Sequence, residues 1–375
     1  MTNIKIPFYK PTLLGAESEF VQRVVQSGPY SGNGPVSKQC EELISESLGG
    51  GMALLTPSCT AALELAAILI DVRPGDEVIM PSFTFVSCAN AFVLRGAVPV
   101  FVDVRPDTMN MDETKIEEAI SEKTKAILVV HYGGVGCAPA NVRKIADRHK
   151  LWLVEDAAQA IGARHDGVPL GSVGHLSTFS FHETKNLHCG EGGALVVNDE
   201  RLFERAEIVR EKGTNRKQFM MGLVDKYTWV DIGSSFLPGE ISAAFLQAQL
   251  LSIEEVTNRR AALWLAYKEN IRNNALEIMQ PPIGSGHNGH LFFVKTGSAA
   301  IRPQFIKYLA SKGIGASFHY IPLHSAPYGL KVSKRGRSCP ITDDHASRLV
   351  RLPLYTSLST SELEYVVTQV NAFVL

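Results

Sequence analysis

No pair of cysteines in this chain has the spacing of a metal or redox motif. The six among 375 residues, Cys40, Cys59, Cys88, Cys137, Cys189 and Cys339, are scattered without a C-x-x-C, which argues against a zinc or dithiol centre. An excess of charge of either sign is also missing. Thirty-seven Lys and Arg face 38 Asp and Glu, so nothing points to bulk attraction for nucleic acid or an anionic membrane, although a local basic pocket for a diphosphate stays open. No stretch approaches the roughly 18 uncharged apolar residues of a membrane helix. Met1 to Lys10 carries Lys5, Pro7 and Lys10 and no long apolar core, so no secretory signal is expected. A reducing, cytoplasmic location is the expectation that follows. Neither an internal repeat nor a low-complexity tract is present.

What remains is a chain of ordinary globular composition, 45% hydrophobic and long enough for about two domains. Residues 1–15, with Pro7, Pro11 and Gly15, read as an extended arm. Seven runs read as strands: 52–55, 77–80, 98–103, 126–130, 151–155, 177–181 and 194–197. Helical patterns at 60–70, 86–95, 113–120, 140–149 and 202–211 lie between and after them. Such alternation implies crossover connections and a largely parallel sheet covered by helices, an α/β fold. Residues 212–237 have weak periodicity but hold Tyr227 and Trp229, so they read as a functional loop rather than a linker. A helical stretch from 240 to about 273 joins a C-terminal part with a strand at 291–296, a helix at 303–312 and a strand at 315–320. The expected division is 1–245, arm and large domain, and 246–375, linking helix and small α+β domain.

The stretch organising the rest is Ser177 to Gly193, S-T-F-S-F-H-E-T-K-N-L-H-C-G-E-G-G. A buried strand is followed by Lys185 and then by Gly190, Gly192 and Gly193, which allow tight backbone. Upstream, the near-continuous apolar run Leu151 to Val154 ends in Glu155 and Asp156, at the carboxyl end of a strand, where open α/β sheets bind ligands. A lysine and a carboxylate at two strand ends suit pyridoxal phosphate: the amine forms a Schiff base and the acid keeps the pyridinium protonated. On spacing alone, an Asp–Lys ion pair or a helix-capping Asp156 reads equally well.

E-D-A-A-Q (155–159), S-F-H-E-T-K-N (180–186) and G-E-G-G (190–193), in this order, resemble the DegT/DnrJ/EryC1/StrS sugar aminotransferases over nearly the whole chain. Those enzymes have fold-type-I architecture. The resemblance therefore implies a mostly parallel seven-stranded sheet flanked by helices, a smaller α+β C-terminal domain and pyridoxal 5'-phosphate as cofactor. It also implies a homodimer with shared active sites, L-glutamate as amino donor and a nucleotide sugar as acceptor. T-P-S-C-T-A-A-L-E (56–64), P-G-D-E-V-I-M-P-S-F-T-F-V-S (74–87), E-K-G-T-N-R (211–216) and H-Y-I-P-L-H (319–324) are most similar to members that aminate C4 of dTDP-4-oxo-6-deoxy-D-glucose. The implied product is a dTDP-4-amino-4,6-dideoxyhexose, with the galacto form favoured, for a surface polysaccharide.

Residue by residue, the resemblance makes Lys185 the Schiff-base lysine and proton carrier and Asp156 the pyridinium partner. Cys59 and Thr60 match the phosphate-binding turn, where a helix N-terminus offers free N–H groups; Ser58 or Thr60 acting as an ordinary N-cap is the alternative. Ser180 matches a phosphate ligand, Gln159 a contact to the cofactor's 3-hydroxyl edge, and Phe85 the aromatic stacked on the ring, although in isolation Phe85 reads as core, since Phe83, Phe85 and Val86 all fit a buried segment. Ser235, in G-S-S (233–235), stands where many members have an asparagine that reaches the neighbouring subunit's cofactor phosphate. Asn215 and Arg216 are candidates for substrate contact from the loop, and His319 and His324 for contacts to sugar or diphosphate; His131 and His182 share that candidacy. Sugar dehydratases of this fold carry histidine in place of the lysine, so Lys185 argues against that chemistry. Non-catalytic relatives usually lose the lysine or the acid, and both are present here.

Overall fold

The computed structural model describes residues 5–333 and 338–374. Its centre is a seven-stranded sheet of β1 (Met52–Thr56), β2 (Glu77–Pro81), β3 (Val98–Val102), β4 (Thr124–Val130), β5 (Trp152–Asp156), β6 (Leu176–Ser180) and β7 (Gly193–Val197). The spatial order is β1-β7-β6-β5-β4-β2-β3. Neighbours from β6 to β3 run parallel, whereas β7 is antiparallel to both β1 and β6. All seven strands lie where the apolar runs place them.

These runs are nearly continuous because both faces are covered. Val78 and Met80 of β2 and Leu128 and Val130 of β4 pack with α3 (Cys59–Leu69) and α4 (Val86–Val93). The alternate residues Ile79, Ile127 and Val129 pack with Val142, Ile145 and Ala146 of the helix Pro139–Arg148. Ala53, Leu55, Ala194 and Val196 face α2 (Pro35–Leu48) and the helix Glu240–Leu250, on which α1 (Glu17–Ser27) also packs. A one-residue slip of any strand would exchange the two sets, so burial fixes the register.

Beneath the sheet, Glu155 is fully buried. It takes a hydrogen bond from His131 Nε2 at 2.7 Å, and from the Gly171 and Val173 amides at 3.1 and 2.8 Å. Burial alone would raise this carboxyl, but His131 and the loop amides hold it below the usual range. The stability it confers is therefore present above the unfolded value of about 4.3 and is lost as pH falls through the lower folded value. Glu155→Gln should destabilise the protein by about 3–5 kcal/mol and remove part of its acid sensitivity, as thermal melting at pH 7 and pH 4 will read.

The C-terminal part builds a second, antiparallel sheet of β8 (Leu276–Ile278), β9 (Phe292–Thr296) and β10 (Leu349–Leu352), ordered β8-β9-β10 and covered by the helices Ile301–Ser311 and Thr360–Ala372. The strand expected at 315–320 is not formed. Only Ser317 makes a bridge, to Arg351, and beyond it both His319 and Tyr320 turn into the same cleft, which a strand's alternation forbids. Of the expected arm, residues 1–4 lie outside the described residues. Ile6 is tied to the C-terminal part, its N–H donating to Gly313 O at 3.0 Å and its carbonyl accepting from Gly315 N at 2.8 Å.

Candidate active site

The carboxyl ends of β4, β5 and β6 share one row, with Val130 opposite Asp156 and Asp156 opposite Thr178. The chain leaves this row into turns, and those turns enclose a cleft of about 710 Å³ between the large sheet and the C-terminal part. Cys59, Thr60, Phe85, Asp156, Gln159, Ser180, Lys185 and His319 all line it.

Lys185 follows β6 in a turn closed by Lys185 N–H to His182 O at 2.9 Å and Cys189 N–H to Phe181 O at 2.9 Å. The glycines after it have separate causes. Gly190 adopts φ +82°, which disfavours a side chain. At Gly193 a Cβ would sit 2.4 Å from Cys59 N, so only glycine lets β7 pass under the first turn of α3. That turn is capped by Ser58, whose hydroxyl accepts from Ala61 N–H at 3.1 Å. The Cys59 and Thr60 amides open the helix, where no carbonyl of the helix reaches them. Thr60 Oγ1 meets Ser87 Oγ at 2.8 Å, and the Ser180 hydroxyl lies in the same cleft. A helix start, a cluster of hydroxyls and the helix dipole make an anion cradle.

Asp156, 5% exposed, accepts from Ala158 N–H at 2.9 Å and from Cys88 Sγ at 2.7 Å. Burial pushes the Cys88 and Cys59 thiols up, so both are neutral beside this carboxylate. Burial also holds the Lys185 amine below its usual range, with the Arg351 guanidinium adding to the effect and Asp156 opposing it. Gln159 is fixed at both ends of its amide, Oε1 accepting from Gly133 N–H at 2.7 Å and Nε2 donating to Tyr320 Oη at 2.9 Å. Phe85 is 54% exposed at the head of α4, so its ring is free to stack on a ligand rather than committed to the core. His319 pairs with Tyr132 through Nδ1 and Oη at 2.6 Å and stacks on Tyr320 with centroids 3.8 Å apart.

Four other predicted residues are not in this cleft. Asn215, Arg216 and Ser235 line a separate cavity of about 1250 Å³. There Asn215 Oδ1 accepts from Thr228 N–H at 2.7 Å and Arg216 pairs with Glu211 at 3.1 Å. His324 is 3% exposed, with Nδ1 2.6 Å from Ser82 Oγ and Nε2 3.2 Å from Asp343, so its ring is committed to structure. His131 is likewise buried on Glu155, whereas His182 does line the cleft.

Sequence reasoning missed Tyr9, Tyr320, His290 and Arg351, all cleft-lining. Tyr320 lay inside the quoted H-Y-I-P-L-H motif; the others had no local signal. Tyr9 Oη donates at 2.8 Å to Glu183, two residues before Lys185. His290 meets Asn186, the neighbour of Lys185, at 2.9 Å. Because Asn186 Nδ2 donates to Asn288 O at 3.1 Å, Asn186 Oδ1 is an acceptor and His290 Nδ1 carries the proton. Burial keeps that imidazole neutral.

An amine of lowered basicity, a buried carboxylate, an exposed aromatic and a helix-start anion cradle together match the needs of a phosphorylated pyridine aldehyde. The residues present fit pyridoxal phosphate. The sequence pattern of the DegT/DnrJ/EryC1/StrS aminotransferase family matches residues 12–371. GDP-perosamine synthase of Escherichia coli O157:H7 is 32% identical over 370 residues, covering 98% of each chain. The aminotransferase TlmJ from Streptoalloteichus hindustanus superposes with a TM-score of 0.90 at 32% identity, covering 98% of both chains. Spr1654 from Streptococcus pneumoniae, solved in its PLP-form, gives 0.90 at 26% identity over 98% of both chains. The chain belongs to the DegT/DnrJ/EryC1/StrS family and is a pyridoxal phosphate-dependent nucleotide-sugar aminotransferase.

Proposed function

We propose that the enzyme transfers the amino group of L-glutamate to C4 of dTDP-4-oxo-6-deoxy-D-glucose. The product is a dTDP-4-amino-4,6-dideoxyhexose, galacto favoured, destined for a surface polysaccharide. The observation that carries this reading is the meeting of Lys185, Asp156, Gln159 and the α3 N-terminus in one cleft. The sugar is argued from the 74–87, 211–216 and 319–324 motifs. Because one relative is named for a GDP-linked sugar, the test offers dTDP- and GDP-linked 4-oxo-6-deoxyhexoses side by side with L-glutamate and identifies C4 and its configuration by NMR. Amination confined to the GDP-linked sugar, or at C3, contradicts the proposal.

Bound pyridoxal phosphate supplies an electron sink and a carrier for the amino group. The Ser58–Thr60 turn and Ser180 would hold its phosphate, and Phe85 would cover one ring face. Asp156, as a buried carboxylate, would favour the protonated ring nitrogen. The Lys185 amine, kept below the usual lysine range, is neutral in a larger fraction at neutral pH and can act as a nucleophile. Once free, Nζ can take a proton from one carbon and return it to the other.

The enzyme is further read as a cytoplasmic homodimer with lobes 1–245 and 246–375. Supporting the location, all six cysteines are free thiols. Supporting the dimer, the segment 212–237 leaves the large apolar side chains of Met220, Leu223 and Trp229 at 72%, 67% and 79% exposure. Asn215, Arg216 and Ser235 stand on that side, away from their own chain's Lys185. Sedimentation should give a stable dimer at assay concentrations; a fully active monomer removes the idea.

A further inference from the structure

The proposed cofactor contacts sit where the chain leaves two strands, at Asp156 and Gln159 after β5 and at Lys185 after β6. The last paired residues of these strands are Asp156 and Thr178, well short of Lys185, so the sheet alone does not fix how the two turns sit beyond it. The segment Asn288-Gly289-His290, just ahead of β9, joins them. Asn288 is fully buried, and its Nδ2 donates to Gln159 O and Ile161 O, both at 2.9 Å, in the first turn. Asn186, next to Lys185 and 7% exposed, is met at both ends of its amide. Nδ2 donates to Asn288 O at 3.1 Å, and Oδ1 accepts from His290 Nδ1 at 2.9 Å. Backbone carbonyls settle these orientations, because they only accept. Both Nδ2 groups must face them, so Asn186 Oδ1 must face His290 and the imidazole proton must sit on Nδ1. Burial and the Lys185 amine keep that ring neutral, which leaves the donor in one fixed tautomer.

The joining segment is itself immobilised. Asn288 Oδ1 accepts from His290 N–H at 3.1 Å. The buried Arg260, on the helix Ile253–Asn270, donates Nε to Gly289 O at 3.2 Å and Nη2 to His290 O at 2.7 Å and Leu354 O at 3.0 Å. Gly289 has φ +59°, and a Cβ there would lie 2.5 Å from the Arg260 carbonyl, so glycine alone permits the approach. We propose that His290 is a positioning residue for Lys185: through Asn186 it holds the lysine's turn in register with the Asp156–Gln159 turn, so that Nζ meets the cofactor's aldehyde carbon. The inference rests on the proposed role of Lys185. Side chains locked by packing and further hydrogen bonds are what keep a reacting group in its productive geometry.

The test is reconstitution of the cofactor-free enzyme. His290→Leu keeps the bulk of the ring and removes the donor. After addition of pyridoxal phosphate, the rate at which the covalent link to the lysine forms, followed by visible absorbance, should fall roughly 10- to 100-fold. Pyridoxamine phosphate carries an amine in place of the aldehyde and cannot join the lysine. Its calorimetric affinity for His290→Leu should stay within about threefold of wild type. His290→Asn places an amide N–H where Nδ1 stands and should recover most of the rate. His290→Gln places it near the Nε2 position, away from Asn186, and should not. Asn186→Ala should match His290→Leu, and the double variant should be no slower than either alone, because both break one link. Wild-type kinetics of link formation in His290→Leu, an equal loss of pyridoxamine phosphate affinity, equal rescue by glutamine, or losses that add in the double variant overturn the proposal. Thermal melting shows whether His290→Leu is folded, and Asn186→Ala supplies the same readout if it is not. Borohydride tagging of the wild type tests the premise separately. A tag on another lysine removes the role of Lys185, whereas a tag on Lys185 with an unaffected His290→Leu removes the clamp alone.

Discussion

Lys185→Ala should lose turnover by at least about a thousandfold, since it removes both the nucleophilic amine and the proton carrier. The cleft otherwise stays intact. Its phosphate cradle comes from α3 and Ser180, and Asp156 is held by Ala158 and Cys88, none of which depends on the lysine. The variant should therefore still bind the cofactor, measurable by ultrafiltration and absorbance. Lys185→Arg should be as inactive, because a guanidinium keeps the positive charge but stays protonated and offers no nucleophile. Small exogenous amines should partly restore the alanine variant and not the arginine one, whose side chain fills the space. Multiple turnovers by Lys185→Ala without added amine would be incompatible with the role assigned to Nζ.

Asp156→Ala should come next in severity, weakening cofactor retention and nearly abolishing transamination. Removing one member of a buried charge pair costs on the order of 3–5 kcal/mol, and Asp156 is 5% exposed. Asp156→Asn separates charge from packing. The amide oxygen can keep the Ala158 N–H contact, so the fold should hold, while the preference for a protonated ring nitrogen is lost. Dialysis-resistant absorbance and steady-state turnover measure the two consequences independently. Near wild-type turnover in either variant contradicts the assignment.

The sheet was legible because its strands are continuous apolar runs, and a strand buried on both faces has little freedom to be anything else. Lys185 and Asp156 were legible for a related reason: polar groups at the ends of such runs emerge at one edge of the sheet. The C-terminal contribution was not. Arg351 lies in R-L-V-R-L, whose pattern says nothing about the distant lysine, and its pairings with Phe293 of β9 and with Ser317 set its place in the cleft. The strand expected at 315–320 failed because the site draws His319 and Tyr320 to the same side. Histidines were the least readable residues. His319 and His324 share one motif, but one reaches the cleft and the other closes a buried contact with Ser82. Which face a loop residue takes is decided by partners far along the chain, and a local motif does not contain them.

The most direct measurement is borohydride reduction of the wild-type holoenzyme followed by peptide mapping. The reductant fixes the cofactor irreversibly to whichever lysine carries it, whatever the sugar or the oligomeric state. The account predicts a single tagged peptide with the modification on Lys185, and loss of the tag when L-glutamate is added before reduction. A tag on any other lysine, or none at all in protein that transaminates, would contradict it.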